Sequence, residues 1–232
     1  MIPWLTSDIS FPPPERALIE PNGLLAVGGD LSSKRLIHAY SKGIFPWFNE
    51  DEPILWWSPN PRMVLFPAEL KTSRSLRKTL QKHNYQVSAD RAFEQVVAGC
   101  AAPRRNQRGT WINPRMIDAY VELHRMGHAH SVETWVAGKL SGGLYGVALG
   151  RAFFGESMFS RATDASKIAF VHLVKQLARW DFGIIDCQMK TTHLASLGAR
   201  EIPRTEFTRI IEELIHYGGV KGTWRFDNDL LE

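Results

Sequence analysis

At 232 residues, with 44% hydrophobic and 22% charged content, the chain has the make-up of an ordinary globular protein and enough length for one large domain or two modest ones. No apolar run approaches the roughly 20 residues needed to span a bilayer, and MIPWLTSDIS lacks the charged start and apolar core of a signal peptide, so a cytoplasmic protein with no membrane role is expected. The net charge of +4 suits a polyanionic partner or an ordinary enzyme equally, and Cys100 and Cys187 are too few for a disulfide framework and lack metal-ligand spacing, so no metal is expected.

Residues 1–62 form a compositionally distinct piece rich in Pro, Gly and Trp, expected to be a small N-terminal domain. PNG and GGD mark turns in it, but Gly28 and Gly29 belong to neither a GxxxxGK[ST] nor a GxGxxG pattern, so no nucleotide cradle is read there. Ser32 reads as the N-cap of a helix whose Leu36, Ile37 and Tyr40 have helical spacing, and Gly43 stops it. Trp47, Trp56 and Trp57 follow within a few residues of one another. They are either the core of a small domain short of other apolar mass or a stacking platform for an unstacked base, and composition favours the core.

Residues 63–232 alternate helices and strands and are expected to be a second, larger domain. A helix over Ser73 to His83 carries Arg74, Lys78 and Lys82 along one face with Arg77 beside them, a stripe without acidic partners that suits contact with a polyanion. Asp90 reads as the cap of the next helix, with Arg104, Arg105 and Arg108 in the loop after it, and Asn113 with Pro114 opens another. Three strands are then expected, turning at Ala137-Gly138-Lys139 and Gly150-Arg151. His128 and His130 at its start lack further ligands and read as structural.

The third strand, FFGESMFSR, places a carboxylate, Glu156, inside a run that otherwise reads as buried strand, on the same face as Met158 by simple alternation. An amphipathic helix from Asp164 to Trp180 follows, then a short buried strand, FGIIDCQ, on which Ile184, Asp186 and Gln188 share a face. Strands, long helix and strand in that order predict an α/β sheet in which the last two strands are parallel neighbours, so that Glu156, Asp186 and Gln188 converge. The same order is used by the acetyltransferase (GNAT) fold, but SRATDASK has no glycine where that fold binds the coenzyme A pyrophosphate, so a standard coenzyme A site is poorly supported.

EPNGLLAVGGDLS, GIFPWF, ILWWSPNPR, GTWI, GHAHSVE, GGLYGVALG, FFGESMFSR, ASK and IIDCQ followed by HLASLGA resemble, in that order and over nearly the whole chain, the bacterial leucyl/phenylalanyl-tRNA protein transferases. The resemblance implies a small N-terminal domain packed on a GNAT-like catalytic domain. It also implies transfer of Leu or Phe, with Met a further candidate, from aminoacyl-tRNA to the N-terminal Arg or Lys of acceptor proteins, marking them for N-degron degradation. An aminoacyl ester is already activated, so neither ATP nor any other cofactor is expected. Carried over to this chain, the resemblance assigns Asp186 and Gln188 to orienting and helping to deprotonate the acceptor amine, and Glu156 to fixing polar groups in the same cleft. Leu144, Phe153, Met158 and Phe170 would line the aminoacyl pocket, Leu144 standing where Met is more usual. Trp47 and Trp111 would stack on the terminal adenosine, and Arg74, Arg77, Lys78 and Lys82 would meet acceptor-stem phosphates. A coenzyme A acetyltransferase, an arginyl transferase and a non-catalytic tRNA-binding protein remain the alternatives.

Overall fold

Two sheets divide the chain in the computed structural model, which describes residues 2–82, 84–103 and 112–230. The first sheet has four short strands, β1 (Trp4–Leu5), β2 (Leu24–Gly28), β3 (Phe45–Pro46) and β4 (Leu55–Trp57), in the order β1-β2-β4-β3. Helix α1 (Ser33–Ser41) joins β2 to β3, and Ser32 caps it by accepting from the Arg35 N–H, as its sequence suggested. Trp56 is fully buried, its indole N–H donating to the Gly28 carbonyl at 2.9 Å. The core reading therefore holds for Trp56, while Trp47, 38% exposed, does not belong to it.

The large sheet begins at β5 (Arg62–Leu65). After it come α2 (Arg74–Leu80), β6 (Gln86–Ala89), α3 (Phe93–Ala101) and α4 (Pro114–Arg125). The expected meander is β7 (Ala129–Val136), β8 (Lys139–Leu149) and β9 (Ala152–Ser160), and the crossover helix α5 (Ala165–Arg179) leads to β10 (Ile184–Gln188). A short α6 (Thr192–Ser196), β11 (Arg200–Ile202) and α7 (Arg204–Leu214) follow. The order is β11-β5-β10-β9-β8-β7-β6, with β9 and β10 parallel as the helical crossover requires. The α/β architecture expected from the sequence is thus the observed one.

Two layers of core flank this sheet. On one side Phe154, Tyr145, Val147 and Phe159 pack with α1, α3, α4, α7 and the small sheet; on the other Leu144, Phe153, Ile185 and α5 form a second cluster with Trp224 from the tail. Some local expectations change. Helix α2 stops at Leu80, so Lys82 lies in the turn beyond it rather than on the helical stripe. Asp90 does not cap α3: it takes a left-handed conformation and accepts from the Ser131 and Trp224 N–H groups and from His130 Nδ1 at 2.8 Å, while the Arg91 and Ala92 N–H groups turn to Glu133. His130, stacked on Trp224 at 3.8 Å, is structural.

Candidate active site

A cleft of about 1050 Å³ opens where β9 and β10 part company. The two strands pair only from Ala152 to Phe154 and from Ile184 to Asp186; beyond that each bends away, and the reason lies in one irregularity on each. On β9, Tyr145 faces Ser157 and Gly146 faces Gly155, which leaves Glu156 as an extra residue, a β-bulge. Gly146 is required opposite it, because a Cβ there would lie 2.3 Å from the Phe154 carbonyl oxygen. The bulge also resets the alternation of faces. Met158 consequently joins Phe153 and Leu144 on the α5 side, while Glu156 turns to the opposite layer, so the expectation that Glu156 and Met158 share a face is corrected.

On β10 the irregularity is Gln188, which adopts a left-handed φ of 61° where the pairing with β5 shifts register. Such a conformation costs a β-type residue on the order of 1 kcal/mol and needs something to hold it. The Asp186 carboxylate does so, its Oδ1 accepting the Gln188 N–H at 2.9 Å. The Gln188 amide then reaches across the gap and donates to Glu156 Oε1 at 3.2 Å. Convergence of Glu156, Asp186 and Gln188 follows from these two bends.

The two carboxylates have different partners. Asp186, 1% exposed, is gripped by Arg62, with Nε to Oδ1 at 2.8 Å and Nη2 to Oδ2 at 2.7 Å. Arg62 is itself fully buried, donates to the Gly43 carbonyl at 3.1 Å and lies between the rings of Phe45 and Phe207. Glu156 instead meets two phenols, Tyr40 at 2.7 Å and Tyr120 at 2.8 Å, whose hydroxyl oxygens also lie in contact with each other. Burial pushes the Glu156 carboxyl up to about 8, against the lowering effect of those two hydrogen bonds; the same burial, with Glu156 nearby, raises all three phenols, Tyr40, Tyr120 and Tyr145. Tyr145 lines the same cleft, and its hydroxyl is buried without a hydrogen-bond partner among the described residues.

Leu144, Phe153, Met158 and Phe170 line the cleft on the α5 side, together with Leu173 and Ile185. Trp47 also lines the cleft, partly exposed and in a T-shaped contact with Trp57. Trp111, the other expected stacking residue, and the arginines at 104, 105 and 108 lie outside the described residues. Arg74, Arg77, Lys78 and Lys82 are exposed and away from the cleft lining, though Thr79 of the same helix touches Asp164 at the start of α5. Sequence reading missed Tyr40, Tyr120 and Arg62 as site residues. Only Arg62 carried a signal: a lone cation opening the apolar strand RMVL poses the same question as Glu156 in its own run.

A mixed sheet whose parallel strands part over an apolar slot, with carboxylate, amide and phenol groups at its apex, defines an α/β enzyme that holds a small apolar group beside polar chemistry. Among the described residues no cluster of His, Cys, Asp and Glu could hold a metal ion, and no helix is long and apolar enough to cross a membrane. The family model for leucyl/phenylalanyl-tRNA protein transferases matches residues 64–212, and that of their N-terminal domain matches residues 29–60. The leucyl/phenylalanyl-tRNA–protein transferase of Nitrosospira multiformis is 68% identical over the full length of both chains. That of Nitrosomonas europaea is 66% identical over 98% of this chain and 96% of its own. The chain therefore belongs to the leucyl/phenylalanyl-tRNA protein transferase family, and it is a transferase. A solved GCN5-related N-acetyltransferase-like protein from Streptococcus suis aligns over 73% of this chain and 64% of its own at 13% identity and a TM-score of 0.33, a distant likeness of chain path that says nothing of activity.

Proposed function

We propose that this chain transfers Leu or Phe from aminoacyl-tRNA to the N-terminal Arg or Lys of acceptor proteins in the cytoplasm, forming a peptide bond and marking the acceptor for N-degron degradation. The observation that carries this reading is the meeting, in one cleft, of an apolar slot lined by Leu144, Phe153, Met158 and Phe170 with the polar apex of Glu156, Asp186 and Gln188. An aminoacyl ester fits that division: its side chain needs a shaped apolar surface, and its carbonyl needs an oriented amine and help with one proton. Such a slot accepts both Leu and Phe and discriminates poorly between apolar chains, but it has no partner for a charged one.

Residues 1–62 form a small domain in this reading, supplying Trp47 to stack on the terminal adenosine, with Trp111 as its counterpart. Gln188 orients the acceptor amine from its fixed left-handed position, and Arg74, Arg77, Lys78 and Lys82 contact stem phosphates without reading sequence. The test is a transfer assay with labelled Leu-tRNA and peptides that differ only in their first residue, without ATP. Extension of the Arg and Lys peptides and not of Ala or Glu peptides is the expected result. Equal extension of all four would overturn the acceptor assignment, and use of Arg-tRNA as donor would favour arginyl transfer.

A further inference from the structure

We propose that Glu156 is the proton acceptor of the transfer reaction, and that Asp186, locked by Arg62, is a positioning residue acting only through Gln188. This rests on the reading of the chain as an aminoacyl-ester transferase, and it departs from the sequence-based expectation that Asp186 helps to deprotonate the amine.

The geometry around Asp186 leaves little room for a proton. Oδ1 accepts from both Arg62 Nε and the Gln188 N–H, and Oδ2 accepts from Arg62 Nη2, all between 2.7 and 2.9 Å. A proton placed on either oxygen would displace one limb of a bidentate pair and leave a fully buried guanidinium short of its counter-charge, among the costlier defects a protein interior can hold. What Asp186 does have is a grip on the backbone of Gln188, and through it on the amide that crosses the cleft.

Glu156 is built the opposite way. Among the described residues every hydrogen-bond partner of Glu156 is neutral: Tyr40 from α1, Tyr120 from α4 and Gln188 from β10. Each hydroxyl has one proton, so all three contacts among the carboxyl, Tyr40 and Tyr120 are hydrogen bonds when Glu156 is protonated; when it is ionised both hydroxyls donate to it and only their mutual bond is given up. The remaining ionisable groups facing Glu156 among the described residues are Tyr145 from β8, Asp186 from β10 and Arg62 from β5. Their balance, dominated by burial, places the carboxyl near 8, beside the roughly 7.7 to 8 of a free α-amine, which is the match that makes proton transfer efficient in both directions.

The step balances within the cleft. The lone pair of the neutral acceptor amine attacks the ester carbonyl carbon, a C–N bond forms, and one N–H proton passes to the Glu156 carboxylate. Collapse then breaks the bond from carbon to the ribose oxygen; that oxygen leaves with the electron pair and takes the proton from Glu156, restoring the carboxylate.

The pH dependence of transfer from Leu-tRNA to a subsaturating peptide beginning with Arg tests this. In the wild type the logarithm of the rate should climb with a slope approaching two below about pH 7, one proton from the amine and one from Glu156. Glu156→Gln should lower the rate by about 100-fold or more and reduce the slope to one. Asp186→Asn should be slower yet keep the slope of two. A slope of two in Glu156→Gln, or its loss in Asp186→Asn, overturns the proposal. Should the Glu156→Gln chain fold poorly, infrared difference spectra of the wild type decide: a protonated carboxyl band vanishing near pH 8 is expected, and no carboxyl titrating above about pH 6 would contradict it. Absence of any transfer by the wild type would instead sink the proposed function itself.

Discussion

Asp186 and Glu156 stand on adjacent parallel strands with a single amide, that of Gln188, between them, yet one is enclosed by a guanidinium and the other by phenols. The Asp186 side of the cleft is a clamp. Arg62 ties β10 to the Gly43 carbonyl and to the rings of Phe45 and Phe207, so the small sheet, the large sheet and α7 all bear on the position of one backbone N–H. The Glu156 side has no charge pair and two hydroxyls that can turn. An ion pair in a dry interior fixes geometry; a carboxyl among neutral donors is free to change its protonation state.

The contrast breaks most visibly at Arg62. Arg62→Met would leave Asp186 buried without its partner, which should cost about 3 to 5 kcal/mol of stability in denaturant titration and abolish transfer. Loss of less than about 1 kcal/mol would show that the clamp is dispensable.

Glu156 has a pH signature of its own. Its folded value near 8 lies above the ordinary 4.5, so between those limits the folded chain holds a proton that the unfolded chain has released. Its contribution to stability is therefore complete below about pH 4.5 and is lost as pH rises through about 8, by up to about 1.4 kcal/mol per pH unit. Denaturant midpoints should fall over that range in the wild type and fall less steeply in Glu156→Gln. Parallel curves for the two chains would refute the neutral-cluster description.

On the apolar side of the cleft smaller effects are expected. Shortening Phe170 to Leu should change the ratio of Phe to Leu transfer by no more than about 10- to 200-fold, since a few methylenes in an apolar slot carry only about 1 to 3 kcal/mol of discrimination. An unchanged ratio would remove Phe170 from the pocket. Smallest of all should be Lys78→Ala on α2, which should reduce the salt slope of tRNA binding by up to about one unit, equally for every tRNA and with no effect on an aminoacyl-adenosine mimic. An unchanged slope would make the stripe a solvated helix face.

Much of this frame was legible in the sequence because it is set by local periodicity. The meander, the crossover helix and the parallel neighbours β9 and β10 follow from alternation, turn residues and the βαβ rule, and they set β8, β9, α5 and β10 around one cleft, leaving the two bends to turn Glu156, Met158 and Gln188 into place. What was hidden depends on partners far away in the chain. Arg62 and Asp186 are 124 positions apart, and Tyr40 meets Glu156 across 116. No local pattern announces such pairs. The bulge at Glu156 was missed for a related reason: whether a strand residue is paired or extruded is decided by its neighbour strand, here by Gly146, and simple alternation put Met158 on the face of Glu156 instead of that of Phe153. Asp90 was misread as a cap because its side chain serves His130 and the tail at Trp224 instead.

The division of the cleft into an apolar wall and a polar apex is tested most directly by a structure of the protein with a non-hydrolysable amide analogue of phenylalanyl-adenosine. The phenyl ring is expected among Leu144, Phe153, Met158 and Phe170, the adenine against Trp47, and the acyl carbon facing Glu156 and Gln188 with room for an amine at about 3 to 3.5 Å. A phenyl ring lodged instead against Tyr40 and Tyr120, with the acyl carbon turned away from Glu156, would contradict it.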